Sequence, residues 1–403
     1  MQPGLTILFL LKRVDCNDGI ASYIDTLISG LKDQGCRVVI VSGPVSMPGS
    51  RERYDAIKRG ALDWIVFGEA RFTPLNAMLL KRLKGIARKH RIDVISPQGL
   101  ATLPLAAVLG RLIQLPVVAN YHSSIHGHDV TTMAAARPLA EVWAYRIVLN
   151  LFTADRFIAL STEIAEFYRH VCAVKPKRIV CLPCAINTDD FWPPDEAQRT
   201  QARAALRLTS DTLVCVLPGR LNLNKGHRVA VAALRLLRAE HPGLRVVCLF
   251  AGNGDQEEDI KAQALRDEAD ARSFRFLGFV SDLRSVYWAS DIALLPSRRE
   301  GCATVIAEAM CSGCVPIRTP SGGARDQIIE GETGYTVPFD DPAALARRIA
   351  DLAEPERRAR MREASVKHAS TSFDKRVTTE RTAALYREVV LRRQARRGIP
   401  ARI

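Results

Sequence analysis

The 403-residue sequence has no apolar stretch near the roughly 20 residues that a membrane-spanning helix needs. Its apolar N-terminal run, Leu5 to Leu11, is too short to span. It has basic residues after it rather than before, and no small-residue cleavage site follows, so it reads as a fully buried parallel strand and not as a signal peptide. Other absences narrow the function. There is no GxGxxG, which removes the usual dinucleotide site, and no Walker lysine pattern, which removes a P-loop ATPase. No zinc-finger, RNA-recognition or homeodomain pattern accompanies the basic residues, so nucleic acid is not an expected partner. No short fixed repeat is visible, which excludes a solenoid. A disulfide framework is also lacking. The ten cysteines lie scattered in apolar segments, Cys215 and Cys248 among them, and read as buried reduced thiols of a cytoplasmic protein. The pairs Cys181/Cys184 and Cys311/Cys314 have the spacing of a four-thiolate zinc site, but their apolar company favours inert thiols, and no metal is expected.

What is present fits a soluble globular chain, with 47% apolar and 25% charged residues and a length that suits two large domains. The net charge is +14 and unevenly spread. Residues 51–91 hold eleven Lys and Arg against four acids, and the tail adds Arg392, Arg393, Arg396, Arg397 and Arg402. Such clusters suit an anionic membrane surface or an acidic glycan, beside the plainer reading of a solvated face.

Short apolar runs alternate with amphipathic segments. Leu5–Leu11, Arg37–Val41, Trp64–Phe67, Asp93–Ile95, Val117–Ala119, Arg156–Leu160 and Arg178–Leu182 read as strands, with helices such as Ile20–Gln34, ending at Gly35, between them. Residues 187–199 are polar, contain Pro193-Pro194 and read as a linker. The alternation resumes at Leu213–Leu217, Leu244–Phe250, Phe274–Leu277, Ile292–Leu295 and Val315–Ile317. Alternation of this kind predicts α/β architecture with parallel sheets covered on both faces. The expected domains are 1–190 and 200–373, with a final helix over 374–395 that packs back on the first. Two doubly wound domains imply a cleft between them and ligands at the carboxyl ends of the strands.

Three motifs follow strands. Asp15 to Gly19 precedes a helix, and a glycine opening a helix lets backbone approach an anion; a plain turn and cap reads as well. Pro218 to His227 places Arg220 and Lys225 on one loop, and two cations match a diphosphate. In Glu300-Gly-Cys-Ala-Thr-Val-Ile-Ala-Glu308, the first glutamate lies on a loop and the second inside a helix that starts near Thr304. A carboxylate at 308 can accept both hydroxyls of a ribose, and Glu300 can reach a sugar hydroxyl. Both sit in apolar sequence, where an unpaired carboxylate is expensive.

These residues resemble glycosyltransferase family 4, of the GT-B fold. Residues 275–338 carry the resemblance most specifically, through Gly278-Phe279, Tyr287, Ala289-Ser290-Asp291, Glu300 to Glu308, Gly313, Pro316 and Gly322-Gly323; Gly19, Gly35, Gly219-Arg220-Leu221 and Lys225-Gly226 extend it over most of the chain. The resemblance implies two Rossmann-like domains and a donor that is a nucleotide diphosphate sugar, UDP- or GDP-linked. It implies that Arg220 and Lys225 bind the diphosphate, that Glu308 binds ribose and that Glu300 contacts the transferred sugar. Backbone at Gly301, Cys302, Ala303, Thr304 and Val305 would hold sugar and phosphate, Gly278 and Phe279 would line the base, and Gly19 would lie near the phosphates. His122, after a first-domain strand, matches an active-site histidine. His122, His126 and His128 also invite a metal-cluster reading, but their spacing fits no common ligand pattern. Three departures are Ala185 for the usual glycine, Asp18-Gly19 for a paired glycine and Asp326 for the glutamate after the double glycine.

The implied activity is retaining, metal-independent transfer without a cofactor, in the synthesis of cell-surface glycan, polysaccharide or glycolipid. The acceptor is a glycan, a lipid-linked or a small molecule, and residues 51–91 would meet the inner membrane face. The rivals are a nucleotide-sugar epimerase or hydrolase of the same fold and a non-catalytic nucleotide-sugar-binding scaffold.

Overall fold

The computed structural model describes residues 4–16, 19–46, 51–68, 76–122 and 139–398. The chain divides into two compact units, the first formed by residues 1–185 with 375–403 and the second by residues 186–374.

In the first unit the strands Asp63–Val66, Arg37–Ser42, Thr6–Leu11 and Val94–Pro97 pair in that spatial order, all parallel. The strands Val118–Tyr121, Arg156–Ala159 and Ile179–Cys181 form a second parallel set. Isolated bridges from Ile95 to Val117 and from Gln98 to Asn120 join the two. Strand order therefore reverses direction between Thr6–Leu11 and Val94–Pro97, a switch point at which the loops after the strands splay apart. The helix Gly19–Asp33 leaves that edge and ends at Gly35, whose φ of 75° closes the helix in the left-handed conformation. The last helix, Lys375–Ala395, belongs to this unit. It buries Ala383, Leu385, Tyr386, Val389 and Val390, and Arg156 meets Glu388 at 2.8 Å.

The second unit is one six-stranded parallel sheet in the order Phe274–Gly278, Val246–Ala251, Leu213–Pro218, Ile292–Leu295, Val315–Arg318, Tyr335–Thr336. Its central strands, Leu213–Pro218 and Ile292–Leu295, are apolar throughout because both faces are covered. Leu213, Cys215 and Leu217 pack with Ala230, Val231 and Leu234 on one face. Val214 and Val216 pack with Ile306 and Met310 on the other. At roughly 2 kcal/mol for each fully buried Leu, Ile or Val side chain, burial on both faces holds such a strand in the interior of the unit. All ten cysteines are free thiols, and burial pushes the Cys311 and Cys314 thiols up to about 12, which keeps them protonated.

The polar segment 187–199 is not a free linker. The Trp288 indole donates to the Trp192 carbonyl at 3.0 Å. Asp195 and Gln198 form a capping box on the helix Glu196–Ala205, and Arg199 hydrogen-bonds the Trp288 carbonyl at 3.1 Å. The aspartate after the prolines starts a helix that packs within the second unit.

His227 is the first residue of the helix His227–Glu240. It is 1% exposed, lies edge-on to Phe250 at 5.1 Å, and neither ring nitrogen has a hydrogen-bond partner among the described residues. Burial, helped by the Lys225 charge, lowers its pKa to about 3. The folded value lies below the unfolded value near 6.5, so only the unfolded chain gains the proton as pH falls. Stability is therefore full above about pH 6.5 and is lost towards pH 3, at up to about 1.4 kcal/mol per pH unit from this residue. We expect urea midpoints to fall between pH 7.5 and 5, and His227→Leu to flatten that slope. An identical slope in the variant would refute the assignment.

Candidate active site

The carboxyl edge of the second sheet gathers most of the sequence motifs. After Leu213–Pro218 the chain turns at Gly219, φ 134°, and continues through Arg220 and Lys225 to Gly226. Gly226 has φ 77°, and a Cβ there would stand 2.0 Å from the Pro296 carbonyl oxygen, so only glycine fits. That contact brings the loop carrying Lys225 against the loop after Ile292–Leu295, and the Arg298 amide donates to the Asn224 carbonyl at 2.8 Å. The result is an ion pair across the switch point, with Lys225 Nζ 2.8 Å from Glu300 Oε1. Glu300 is 7% exposed, so its carboxylate depends on this partner. Arg220 lies on the same loop with an exposed side chain.

Glu300 is held from behind by a buried arginine that ends the strand Val315–Arg318. Arg318 is fully buried. It donates to the Ser321 carbonyl at 3.1 Å, to the Gly322 carbonyl at 2.9 Å and to the Gln327 side-chain oxygen. Gln327 in turn donates to the Ala303 carbonyl at 2.8 Å. A Cβ on Gly322 would stand 2.3 Å from the Glu300 carbonyl oxygen, so this glycine lets the braced loop touch the Glu300 backbone.

The helix Thr304–Cys311 starts immediately after Gly301, Cys302 and Ala303, with its first backbone N–H groups at the carboxyl edge. Glu308, one turn in, accepts from the Tyr287 hydroxyl at 3.2 Å, and the same hydroxyl lies 3.2 Å from the Val305 carbonyl. Burial, and then the Glu308 charge, push the Tyr287 pKa well up, which keeps it a donor. Gly278 ends its strand with φ 67°, and Phe279 beside it is 39% exposed. The structure thus brings Arg220, Lys225, Gly278, Phe279, Glu300 to Val305 and Glu308 to one edge of one sheet. Among the described residues no group of three or more His, Cys, Asp or Glu is placed to hold a metal ion.

The two first-unit candidates lie at the corresponding edge of the other sheet. Gly19 opens its helix with no protein atom within 4 Å of a Cβ built there; Asp18 lies outside the described residues. His122 follows Val118–Tyr121, while His126 and His128 also lie outside them. Its Nε2 is 2.9 Å from Gln98 Oε1, and its ring meets Tyr23 edge-on at 4.9 Å. The Gln98 amide is oriented by Ser96. Gln98 Nε2 is 2.9 Å from Ser96 Oγ and 3.4 Å from the Ser96 carbonyl, which can only accept. Gln98 Oε1 therefore accepts from His122 Nε2–H, leaving Nδ1 as the acceptor of the neutral ring. Ser96 Oγ is in turn 3.0 Å from the Tyr386 hydroxyl of the last helix. Sequence reading missed Gln98, Ser96 and Tyr386, which no motif marks.

Residues 17–190 match the family model described as Glycosyltransferase Family 4, and residues 198–368 match that of Glycosyl transferases group 1. A Bacillus subtilis protein named as a glycosyltransferase, EpsD, is 32% identical over 78% of this chain and 81% of its own. The chain belongs to glycosyltransferase family 4. A Streptomyces scabiei D-inositol 3-phosphate glycosyltransferase is 33% identical over 67% of this glycosyltransferase and 60% of its own length. Among solved structures, a Rickettsia africae glycosyltransferase superposes with a TM-score of 0.78 at 18% identity, covering 96% of this chain and 99% of the other. Anabaena HepE in complex with UDP gives 0.79 at 19% identity, covering 94% and 99%. These likenesses identify the GT-B fold of the enzyme.

Burial holds the His122 ring neutral, with a pKa lowered to about 3. Replacing Gln98 by glutamate puts a carboxylate opposite Nε2 and favours the imidazolium. In Gln98→Glu we expect the His122 pKa to rise by more than a unit, read by a histidine 15N NMR titration. Gln98→Leu should mix the two neutral tautomers. Unchanged pKa and tautomer in both variants would show that Gln98 does not set the ring.

Proposed function

We propose that this enzyme is a retaining glycosyltransferase that moves a hexosyl group from a UDP- or GDP-sugar to an acceptor hydroxyl without a metal ion or cofactor. The observation that carries the reading is the buried Glu300 held by Lys225 at the switch point of the second sheet. A carboxylate kept out of water beside a lysine is arranged to accept sugar hydroxyls while the lysine faces phosphate. Arg220 and Lys225 balance the charge of the departing diphosphate, and the N-terminus of Thr304–Cys311 adds backbone donors. Glu308, oriented by Tyr287, accepts the ribose hydroxyls. Phe279 and Gly278 receive the base, and the resemblance to family 4 assigns donor-side roles to Gly19 and His122. The complex of HepE with UDP supports a uridine donor.

In the transfer the bond between the anomeric carbon and the β-phosphate oxygen breaks, and the acceptor oxygen bonds to the same face. The acceptor proton passes to the departing phosphate oxygen. No protein nucleophile is used; the protein contributes position and charge. The acceptor is an anionic or lipid-linked glycan precursor at the inner membrane face. The helix Ala77–Lys89 supports this, since it buries Leu79, Leu83 and Ala87 and exposes Lys81, Arg82, Lys84, Arg88 and Lys89 beside Met78.

A panel of nucleoside diphosphates and their sugars should raise Tm for one base with no added Mg²⁺, by several degrees at saturation. Arg220→Ala and Glu308→Ala should each abolish most of that shift, and the product anomer should keep the donor configuration by NMR. No shift from any nucleotide, or an inverted product, contradicts the reading. A separate arm tests the surface. Binding to anionic liposomes should be strong at low salt and lost at high salt, and no binding at low salt removes the membrane part.

A further inference from the structure

The amino edge of the second sheet, opposite the donor motifs, carries a second concentration of charge. A cavity of about 660 Å³ is lined there by Arg199, Arg203, Arg358 and Arg362, with Asp291 and Gly313. Asp291 directly precedes the strand Ile292–Leu295, and Gly313 lies just before Val315–Arg318. The other acids of the lining are Glu196 and Asp211. Glu196 is exposed, and Asp211 pairs with Arg245 at 2.9 Å.

The four guanidinium groups are not equivalent. Arg203 is a brace. It donates to the carbonyls of Ala289, Thr209, Ser210 and Thr212 and meets Asp291 Oδ2 at 2.8 Å. Arg199 takes the other Asp291 oxygen. Arg358 donates through Nη1 to the Leu352 carbonyl at 2.5 Å and the Ala353 carbonyl at 3.2 Å, and its Nε lies 3.8 Å from that same oxygen of a carboxylate that two other arginines already hold. Arg362 makes no hydrogen bond or ion pair among the described residues. Its guanidinium lies so close to Gly313 that a Cβ there would stand 2.7 Å from Nε. Burial lowers the Arg362 pKa and the Arg199 charge lowers it further, while the Asp291 carboxylate, too far away for an ion pair, offsets part of this. One buried carboxylate thus faces four arginines, and the one nearest Gly313 has no counter-charge of its own. An unpaired, partly desolvated cation costs stability unless an anion meets it.

We propose that this cavity is a second anion site, which takes a phosphoryl dianion on Arg362, Arg358 and Arg199, with Arg203 and Asp291 as the frame that holds them. Planar guanidinium forks match phosphate oxygens. The volume is far larger than inorganic phosphate and fits a hexose phosphate. The site stands at the end of the sheet away from Glu300, so its ligand does not compete with the sugar donor. Either free phosphate or a phosphate ester supplies the recognised group.

The test uses the full chain carrying Arg220→Ala, Lys225→Met and Glu300→Gln together, so that the cations of the donor loop contribute nothing and no buried carboxylate is left unpaired. Isothermal titration at constant ionic strength, with inorganic phosphate and separately with glucose 6-phosphate, should show one saturable site. Arg362→Gln in that background should weaken it at least tenfold, and Arg362→Lys should retain part of it. Tighter binding of the hexose phosphate names an ester as the ligand, and equal binding names free phosphate. In phosphate-free buffer Arg362→Gln should raise Tm, because it removes like-charge repulsion, whereas loss of a structural arginine lowers Tm. Absence of saturable binding of either probe, binding that survives Arg362→Gln, or a lower Tm of that variant in phosphate-free buffer overturns the proposal.

Discussion

A single buried guanidinium sets the geometry on which the donor edge depends. Arg318 has no access to water, so its positive charge is tolerable only because protein oxygens surround it. Those oxygens belong to Ser321, Gly322 and Gln327, and Gln327 passes the restraint on to Ala303. The loop before the helix Thr304–Cys311 is therefore held at both ends, through Gly322 against Glu300 and through Gln327 against Ala303. Glu300 can be buried beside one lysine because its backbone has no freedom to carry the carboxylate elsewhere. Position comes first in this site, and the charge pair follows from it.

The first unit meets a similar need without charge. Tyr386, Ser96 and Gln98 form a line of neutral groups ending at His122. Each member has one role open to it once its neighbour is fixed, so the line defines a tautomer as well as a position. A carboxylate in place of Gln98 would hold the ring as firmly but as a cation. The two edges thus use opposite electrostatic means, a buried ion pair for Glu300 and a neutral chain for His122.

The architecture was legible because its causes are local. Strands such as Ile292–Leu295 are short apolar runs buried on both faces, and periodicity reveals them within a residue or two. The pattern from Glu300 to Glu308 was legible because two carboxylates in apolar sequence are costly without a purpose. Segment 187–199 follows the division between the units, as its prolines and acids suggest, but its anchoring to Trp288 and through the helix beyond Asp195 depends on contacts distant in the chain. Arg318 and Gln98 were invisible for the same reason. An arginine or glutamine at a strand end carries no mark of burial, and Ser96 and Tyr386 are 290 positions apart in sequence.

The close approach of Gly226 to Pro296 has a consequence for how this enzyme could be rebuilt. The segment that carries Lys225 and the segment that carries Glu300 touch backbone to backbone, although a whole strand–helix succession separates them along the chain. A chimera with a relative that crosses over between them would join halves shaped for different partners, and its misfit would appear as steric overlap before any change in substrate choice. Donor preference in this scaffold is therefore best transplanted as a pair of loops inherited together.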